Sequence, residues 1–344
     1  MMLRALVLSL LLHAAVALRL AVTGAAGYLG SEICWQAVQA GHEVRAVVRS
    51  AGTASAFLNM MCEVFEADDL ADAVQAREAA DGVDVVIHTA SVFRSCADME
   101  TELVQPNMAL AEQMVCACAA ANAKLVLTSS MAAVRAGGQP LRGGRSCYTS
   151  EDWNFLSQRD GPGFAPYQYS KMASEQRAWH LAKEVGLEMT TLCPSMILGP
   201  PRTATSSAFS VQMVQGWLDG SSPVKSLLVC DVRDVAMAHV AAAESAEAGG
   251  KRYIVSRESR VPASALADAI RQRVGPETVP QLHAQDEGSQ SGALIAVGAR
   301  EVDATAAAAD LGVTCRPDAE TVADMAALLL QERETSLLRD GLDW

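Results

Sequence analysis

The chain has 344 residues, with 27 lysines and arginines against 40 aspartates and glutamates, for a formal net charge of −13. Half of it is hydrophobic, 19% is charged and 5% is aromatic, which excludes both a disordered chain and a membrane-embedded one. The acidic balance argues against nucleic acid or an anionic membrane as a general partner, since both attract a basic surface. A local basic pocket for an anionic cofactor is still compatible with it. At roughly 150 residues per domain, the length predicts two domains or one large one. Such a chain can bury its core without disulfides or metals. The nine cysteines include no Cys-x-x-Cys pair and no metal-ligand spacing, so they read as scattered buried thiols.

Residues 1–17 have a positive start at Arg4, an apolar run over 5–12 and a small-x-small end at Ala15-Val16-Ala17, the pattern of a removable targeting segment. The run is shorter than the ~20 residues of a membrane span. An uncleaved anchor and a plain extension are the alternatives. The segment suggests entry to the secretory pathway or an organelle, whereas unpaired thiols suit a reducing compartment such as cytoplasm or plastid.

Short apolar runs then predict strands at 18–22, 43–48, 62–65, 83–87, 124–127 and 188–192, with weaker ones at 226–230 and 252–255. Longer segments at 30–40, 102–121 and 167–184 read as helices. This alternation predicts a doubly wound parallel α/β sheet covered on both faces. A glycine- and proline-rich stretch over 135–166 is too long for a plain connection and is expected to be functional. After residue 255 the pattern is mostly helical, at 262–274, 302–311 and 318–330. The expected division is a dinucleotide-binding part over 18–194, rejoined by 231–256. Residues 195–230 and 257–335 make a smaller substrate-binding part.

Thr23-Gly24-Ala25-Ala26-Gly27-Tyr28-Leu29-Gly30 sits between the first strand and the next helix. Gly24 permits the tight turn, Gly27 lets the backbone approach a pyrophosphate, and Gly30 lets helix and strand pack closely. The helix start, at Tyr28 and Leu29, offers free N–H groups to phosphates. Arg49, ending the second strand, stands where an acid would accept the ribose hydroxyls of NAD(H). A guanidinium there favours NADP(H). Asp69 and Leu70 are placed to touch the adenine, and Thr89 and Ala90 to line the cofactor. His88 reads as a packed strand-end histidine.

Tyr167 and Lys171 lie four residues apart and share one helix face. A nearby ammonium is expected to favour the phenolate and lower the tyrosine pKa, and Lys171 can also hold ribose hydroxyls. Tyr169 points to another face and reads as packing. A serine hydroxyl at the end of the fifth strand, within Thr128-Ser129-Ser130, can donate to a carbonyl oxygen. No metal site is expected.

Together with Ser170-Lys171-Met172-Ala173-Ser174-Glu175, Pro194-Ser195-Met196-Ile197-Leu198-Gly199-Pro200-Pro201 and Asp231-Val232-Arg233-Asp234-Val235, these motifs make a combination that resembles the extended short-chain dehydrogenase/reductase family. The likeness is greatest to its dihydroflavonol-reductase-like branch. The resemblance implies that Ser130 is the catalytic hydroxyl, with Ser129 second choice, and that Tyr167 and Lys171 are the catalytic pair. It further implies that Asn107 helps build the site and that Pro194 and Ser195 lie against the nicotinamide. Cinnamoyl-CoA reductases carry an Asn-Trp-Tyr-Cys-Tyr-like box before the lysine. Here the stretch is Phe164-Ala165-Pro166-Tyr167-Gln168-Tyr169, which does not support that substrate.

The expected activity is NADP(H)-dependent reduction of a ketone or aldehyde, or the reverse oxidation, by a monomer or homodimer acting on a small molecule. The alternatives are a nucleotide-sugar epimerase or dehydratase with tightly bound NAD, and a non-catalytic NADP-binding sensor. Val92, Phe93, Met131, Phe164, Met196, Phe209, Met213 and Trp217 are expected to form an apolar pocket wall.

Overall fold

The structure is a computed structural model that describes residues 17–93, 97–202, 207–285 and 295–340. Of the expected targeting segment, only Ala17 falls within these residues. Seven strands form one parallel sheet: β1 (Arg19–Thr23), β2 (Glu43–Val48), β3 (Glu63–Glu66), β4 (Val85–His88), β5 (Lys124–Thr128), β6 (Met189–Pro194) and a later strand, β10 (Arg252–Val255). Their spatial order is β10-β6-β5-β4-β1-β2-β3. The chain winds outward from β1 to β3, then returns to place β4 beside β1. The gap between those two strands is therefore the switch point where open α/β sheets bind ligands.

Successive strand residues serve opposite faces, as the twofold side-chain period requires. Leu20, Val22, Val85, Ile87 and Val126 enter the larger core, beneath α1 (Tyr28–Gln39) and α8 (Val232–Glu244). Ala21, Val86, Leu125 and Leu127 face the other core, beneath α3 (Ala73–Ala80), α4 (Gln105–Ala121) and α6 (Ala165–Val185). Burying each such valine, leucine or isoleucine contributes about 1.5–3 kcal/mol. This two-sided burial is why the strands read as continuous apolar runs.

The sequence places most elements to within a few residues. The helix expected from 102 starts instead at Gln105, after one π-helical turn, Glu100–Val104. Pro106 has no N–H to donate one turn back, so a regular α-helix is not sustained there. Pro166 stands in the first turn of α6, and Gly186, at φ 69°, ends it. The short helices α2 (Ala56–Met61) and α5 (Met131–Val134) complete the first part of the chain.

Beyond β6, β7 (Met196–Leu198) pairs with β9 (Val229–Asp231), and β8 (Val224–Lys225) pairs with β11 (Ala284–Gln285), in two small sheets apart from the main one. The helices α7 (Phe209–Asp219), α9 (Ala263–Val274), α10 (Thr305–Leu311) and α11 (Asp318–Asp340) surround them. Among the described residues no helix is long and apolar enough to cross a membrane.

Candidate active site

The glycine turn lies at the carboxyl end of β1, above the switch point. Gly24 adopts φ +69°, and a Cβ on it would meet Thr89 Oγ1 at 2.9 Å and the Ala90 backbone at 3.2 Å. Gly27 N donates to Gly24 O over 2.9 Å, closing the turn. A Cβ on Gly30 would stand 2.2 Å from Gly24 O and 2.8 Å from Gly24 C, so no side chain fits there. No side chain caps the start of α1, whose first residue is Tyr28. A turn pressed this tightly against an uncapped helix start fits a pyrophosphate, which would take up the free N–H groups. Buried Thr23 holds the neighbouring strand end. Its Oγ1 shares a 2.8 Å hydrogen bond with His88 Nδ1, and its carbonyl accepts from Thr89 Oγ1 at 2.7 Å.

Some expected cofactor contacts are narrowed by the geometry. The Tyr28 side chain turns into the core and donates to Gly199 O over 2.6 Å, and Leu29 is buried, so only their backbone faces the turn. Asp69 spends Oδ1 on Ala71 N, 2.8 Å away, within its own turn, and Leu70 packs into the core. Arg49 is exposed at the end of β2, and among the described residues no carboxylate pairs with it. It is therefore free for an anionic ligand. Pro194 ends β6, and Ser195 follows, its hydroxyl 2.8 Å from that of Ser256.

Tyr167 and Lys171 stand one turn apart on α6. The Ser130 hydroxyl, at the N-cap of α5, stands close enough to Tyr167 to favour its phenolate. Ser130 Oγ also accepts from Ala132 N at 3.1 Å. Ser129 is turned elsewhere: it is buried and donates to Glu175 Oε2 over 2.5 Å. Of the two serines, only Ser130 reaches the tyrosine. Lys171 is buried and donates to Thr128 O over 3.0 Å.

Among the described residues Asn107 hydrogen-bonds to neither Tyr167 nor Lys171. Its Oδ1 accepts from Val92 N at 2.7 Å and Ser91 Oγ at 3.0 Å, and its Nδ2 donates to Ser170 Oγ at 3.0 Å. It thus ties the segment after β4 to α6. A cavity of about 20 Å³, lined by His88, Asn107, Thr128, Lys171 and Glu175 among others, lies behind the lysine.

The expected lowering of the tyrosine pKa is corrected. Burial pushes the Tyr167 phenol above its ordinary value, and the Ser130 hydroxyl offsets only part of that. The Lys171 ammonium has no part in the shift, because Lys171 points to Thr128 O. Burial brings Lys171 down to about 8, with Glu175 opposing the change. His88 is brought down to about 3 by burial and then by Lys171, so it is neutral, in keeping with a packing role.

Three aromatic residues from separate segments meet beside Tyr167. Phe93 packs edge-on against Tyr167 at 4.5 Å and against Phe209 at 5.3 Å, and Phe209 packs against Phe164 at 6.0 Å. They are 41%, 38% and 58% exposed in the order Phe93, Phe209, Phe164. The expected wall is otherwise cut back. Trp217 is fully buried in the larger core, Met131 is buried in a third small core, and Met196 and Met213 pack against the larger one. Tyr169 serves the irregular 135–164 stretch, its hydroxyl accepting from Arg159 Nε at 3.0 Å.

The family model for the NAD dependent epimerase/dehydratase family matches residues 20–256, which run from β1 to the end of β10. The chain belongs to that family. Among its relatives, cinnamoyl-CoA reductase 1 of Arabidopsis thaliana is 34% identical over 254 residues, 70% of each chain. Dihydroflavonol 4-reductase of Callistephus chinensis is 28% identical over 276 residues, covering 75% of this chain and 74% of that one. The extended reductase resemblance read from the motifs therefore holds. The fold also matches the solved yeast methylglyoxal/isovaleraldehyde reductase Gre2 complexed with NADPH, with a TM-score of 0.77 at 22% identity, over 92% of this chain and 99% of that one.

Proposed function

We infer that this member of the family is an NADP(H)-dependent oxidoreductase that reduces a ketone or aldehyde to an alcohol. The observation that supports the reading is that Ser130, Tyr167 and Lys171 gather about the carboxyl end of β5, with the glycine turn at the carboxyl end of β1 in the same sheet. Relatives named as cinnamoyl-CoA and dihydroflavonol reductases support it. The cofactor is held by the Gly24–Gly30 backbone at its pyrophosphate and by Arg49 at its 2′-phosphate. The Thr89-Ala90 and Pro194-Ser195 segments flank it. Bound there, NADPH supplies the hydride.

The chain's own residues do the rest. Ser130 and Tyr167 donate hydrogen bonds to the substrate carbonyl oxygen, which polarises the carbon and fixes the face presented. Tyr167 then gives its proton to that oxygen. Its raised pKa suits an acid that must keep its proton until charge develops on the acceptor. Lys171 holds the ribose hydroxyls. Asn107 fixes the segment that carries Phe93. The exposed Phe93–Phe209–Phe164 rings give the substrate an apolar, aromatic wall, which selects a hydrophobic carbonyl compound.

The Asn-Trp-Tyr-Cys-Tyr-like box is absent, so the reading takes this broader class and not a cinnamoyl thioester. An epimerase with resident NAD finds no support in Arg49, which stands in place of the ribose-binding acid. A spectrophotometric panel of aldehydes and ketones, run with NADPH and NADH side by side, tests the reading. Oxidation of NADPH with apolar aromatic carbonyls is expected. Protein purified with stoichiometric NAD and inert towards the whole panel would refute it.

A further inference from the structure

Glu175 is a buried charge close to Lys171 that the proposed chemistry leaves unused. It lies one turn beyond Lys171 on α6 and shares the cavity behind that lysine. Its carboxylate is saturated. Oε1 accepts from Arg252 Nε at 2.7 Å, Thr191 Oγ1 at 2.8 Å and Trp179 Nε1 at 3.3 Å, while Oε2 accepts from Ser129 Oγ at 2.5 Å and Arg252 Nη2 at 3.0 Å. Arg252 stacks on Trp153, 3.9 Å from the ring centre, and donates to Ser150 O and Asp152 O at 2.9 and 2.5 Å. This ion pair thus fastens α6 and β10 to β6, to the end of β5 that carries the two serines, and to the irregular 135–164 stretch.

We propose that Glu175, clamped by Arg252, is a positioning residue of this site: its carboxylate faces Lys171 across the shared cavity and its hydrogen bond to Ser129 sets the height of the Ser129-Ser130 turn.

The electrostatic surroundings of Lys171 support this. From β4 it faces His88, which is neutral, and from β6 Cys193, whose thiol burial pushes up to about 12. From α8, His239 is tied to Thr128 Oγ1 and Val235 O and is neutral, at about 4. Tyr167, on the same helix, keeps its proton. Glu175 is then the anion that offsets the burial of Lys171, and it is the largest opposing influence on that lysine. Burial would raise the Glu175 carboxyl, but the Arg252 charge and the hydrogen bonds from Arg252, Ser129 and Thr191 outweigh it, so Glu175 stays ionised. A buried lysine without such a neighbour loses its proton near neutral pH.

The inference rests on the role given to Lys171, and the test separates the two. The alkaline limb of kcat/KM for carbonyl reduction is followed in the full chain, where the wild type is expected to lose activity as pH rises through about 8. Glu175→Gln is expected to move that limb down by about one pH unit. Glu175→Asp, which keeps the charge, brings it back towards the wild-type position. If Arg252, left without its partner, prevents Glu175→Gln from folding, the double variant Glu175→Gln/Arg252→Gln removes both charges and reads the same limb. An unmoved limb in the folded variant, with only the melting temperature lowered, overturns the positioning role. Full turnover in Lys171→Ala overturns the proposed function instead.

Discussion

Replacing Gly30 by alanine tests the close approach proposed for cofactor binding. The new methyl would stand 2.2 Å from Gly24 O, 2.8 Å from Gly24 C and 3.0 Å from Ala25 Cα, all of them backbone atoms. No side chain can swing aside, so α1 must retreat from the turn by about 1 Å to reach ordinary contact. The helix is wedged against α8 and carries eight buried residues, Tyr28 to Cys34 and Ala37. The overpacking costs about 1–3 kcal/mol. The resting variant relieves it by opening the Gly24–Gly27 turn, and closing that turn again around a pyrophosphate restores the strain. At 1.4 kcal/mol per factor of ten, NADPH should bind about 5- to 150-fold more weakly. Gly41→Ala is the control. It adopts φ +90° with nothing within 4 Å of the new Cβ, so it strains the backbone without touching the turn. Calorimetric titration with NADPH should show weak binding for Gly30→Ala and wild-type binding for Gly41→Ala. Equal affinities in the two variants would refute the reasoning.

Three further outcomes follow from the same structure. Arg49→Glu removes a guanidinium from the proposed 2′-phosphate position, and the ratio of kcat/KM with NADPH to that with NADH should fall by about 10- to 150-fold; an unchanged ratio places the phosphate elsewhere. Phe93→Ala removes the ring packed at 4.5 Å on Tyr167 and should raise KM for an aromatic carbonyl by about 2- to 13-fold, with little change for a small aliphatic aldehyde. His88 and His239 are held neutral, at about 3 and about 4 against an ordinary 6.5, so each takes up a proton on unfolding. Folded pKa values below the unfolded ones mean stability that is present above pH 6.5 and lost on acidification. The slope approaches about 2.7 kcal/mol per pH unit near pH 5 for two protons. Calorimetry showing a flat melting temperature between about pH 6.5 and 5 would contradict this.

Much of the sheet was legible because its inner strands are buried on both faces and so appear as nearly unbroken apolar runs. The glycine turn was legible because backbone crowding admits only one residue type at Gly30. Tyr167 and Lys171 were legible because helical spacing alone puts them on one face. The choice between Ser129 and Ser130 needed coordinates, since only the path of the chain after β5 turns one towards Glu175 and the other towards Tyr167.

Helical spacing cannot tell a pocket wall from a core. Trp217 and Phe209 lie on one helix, yet the first is in the core and the second by the site. The Glu175–Arg252 pair joins positions 77 residues apart. Its only sequence signal is a carboxylate one turn beyond Lys171, in a helix whose neighbouring positions are buried. The direction of the Tyr167 pKa was misjudged because spacing reports proximity to Lys171 but not its aim at Thr128 O.

The most direct measurement is single-turnover hydride transfer in Tyr167→Phe, followed by NADPH absorbance with saturating carbonyl substrate. If Tyr167 delivers the proton, the rate falls by about 10²–10⁴-fold while NADPH binds as tightly as to the wild type. A rate within a few-fold of wild type would show that the proton comes from another group and that the meeting of Ser130, Tyr167 and Lys171 is not the reaction centre.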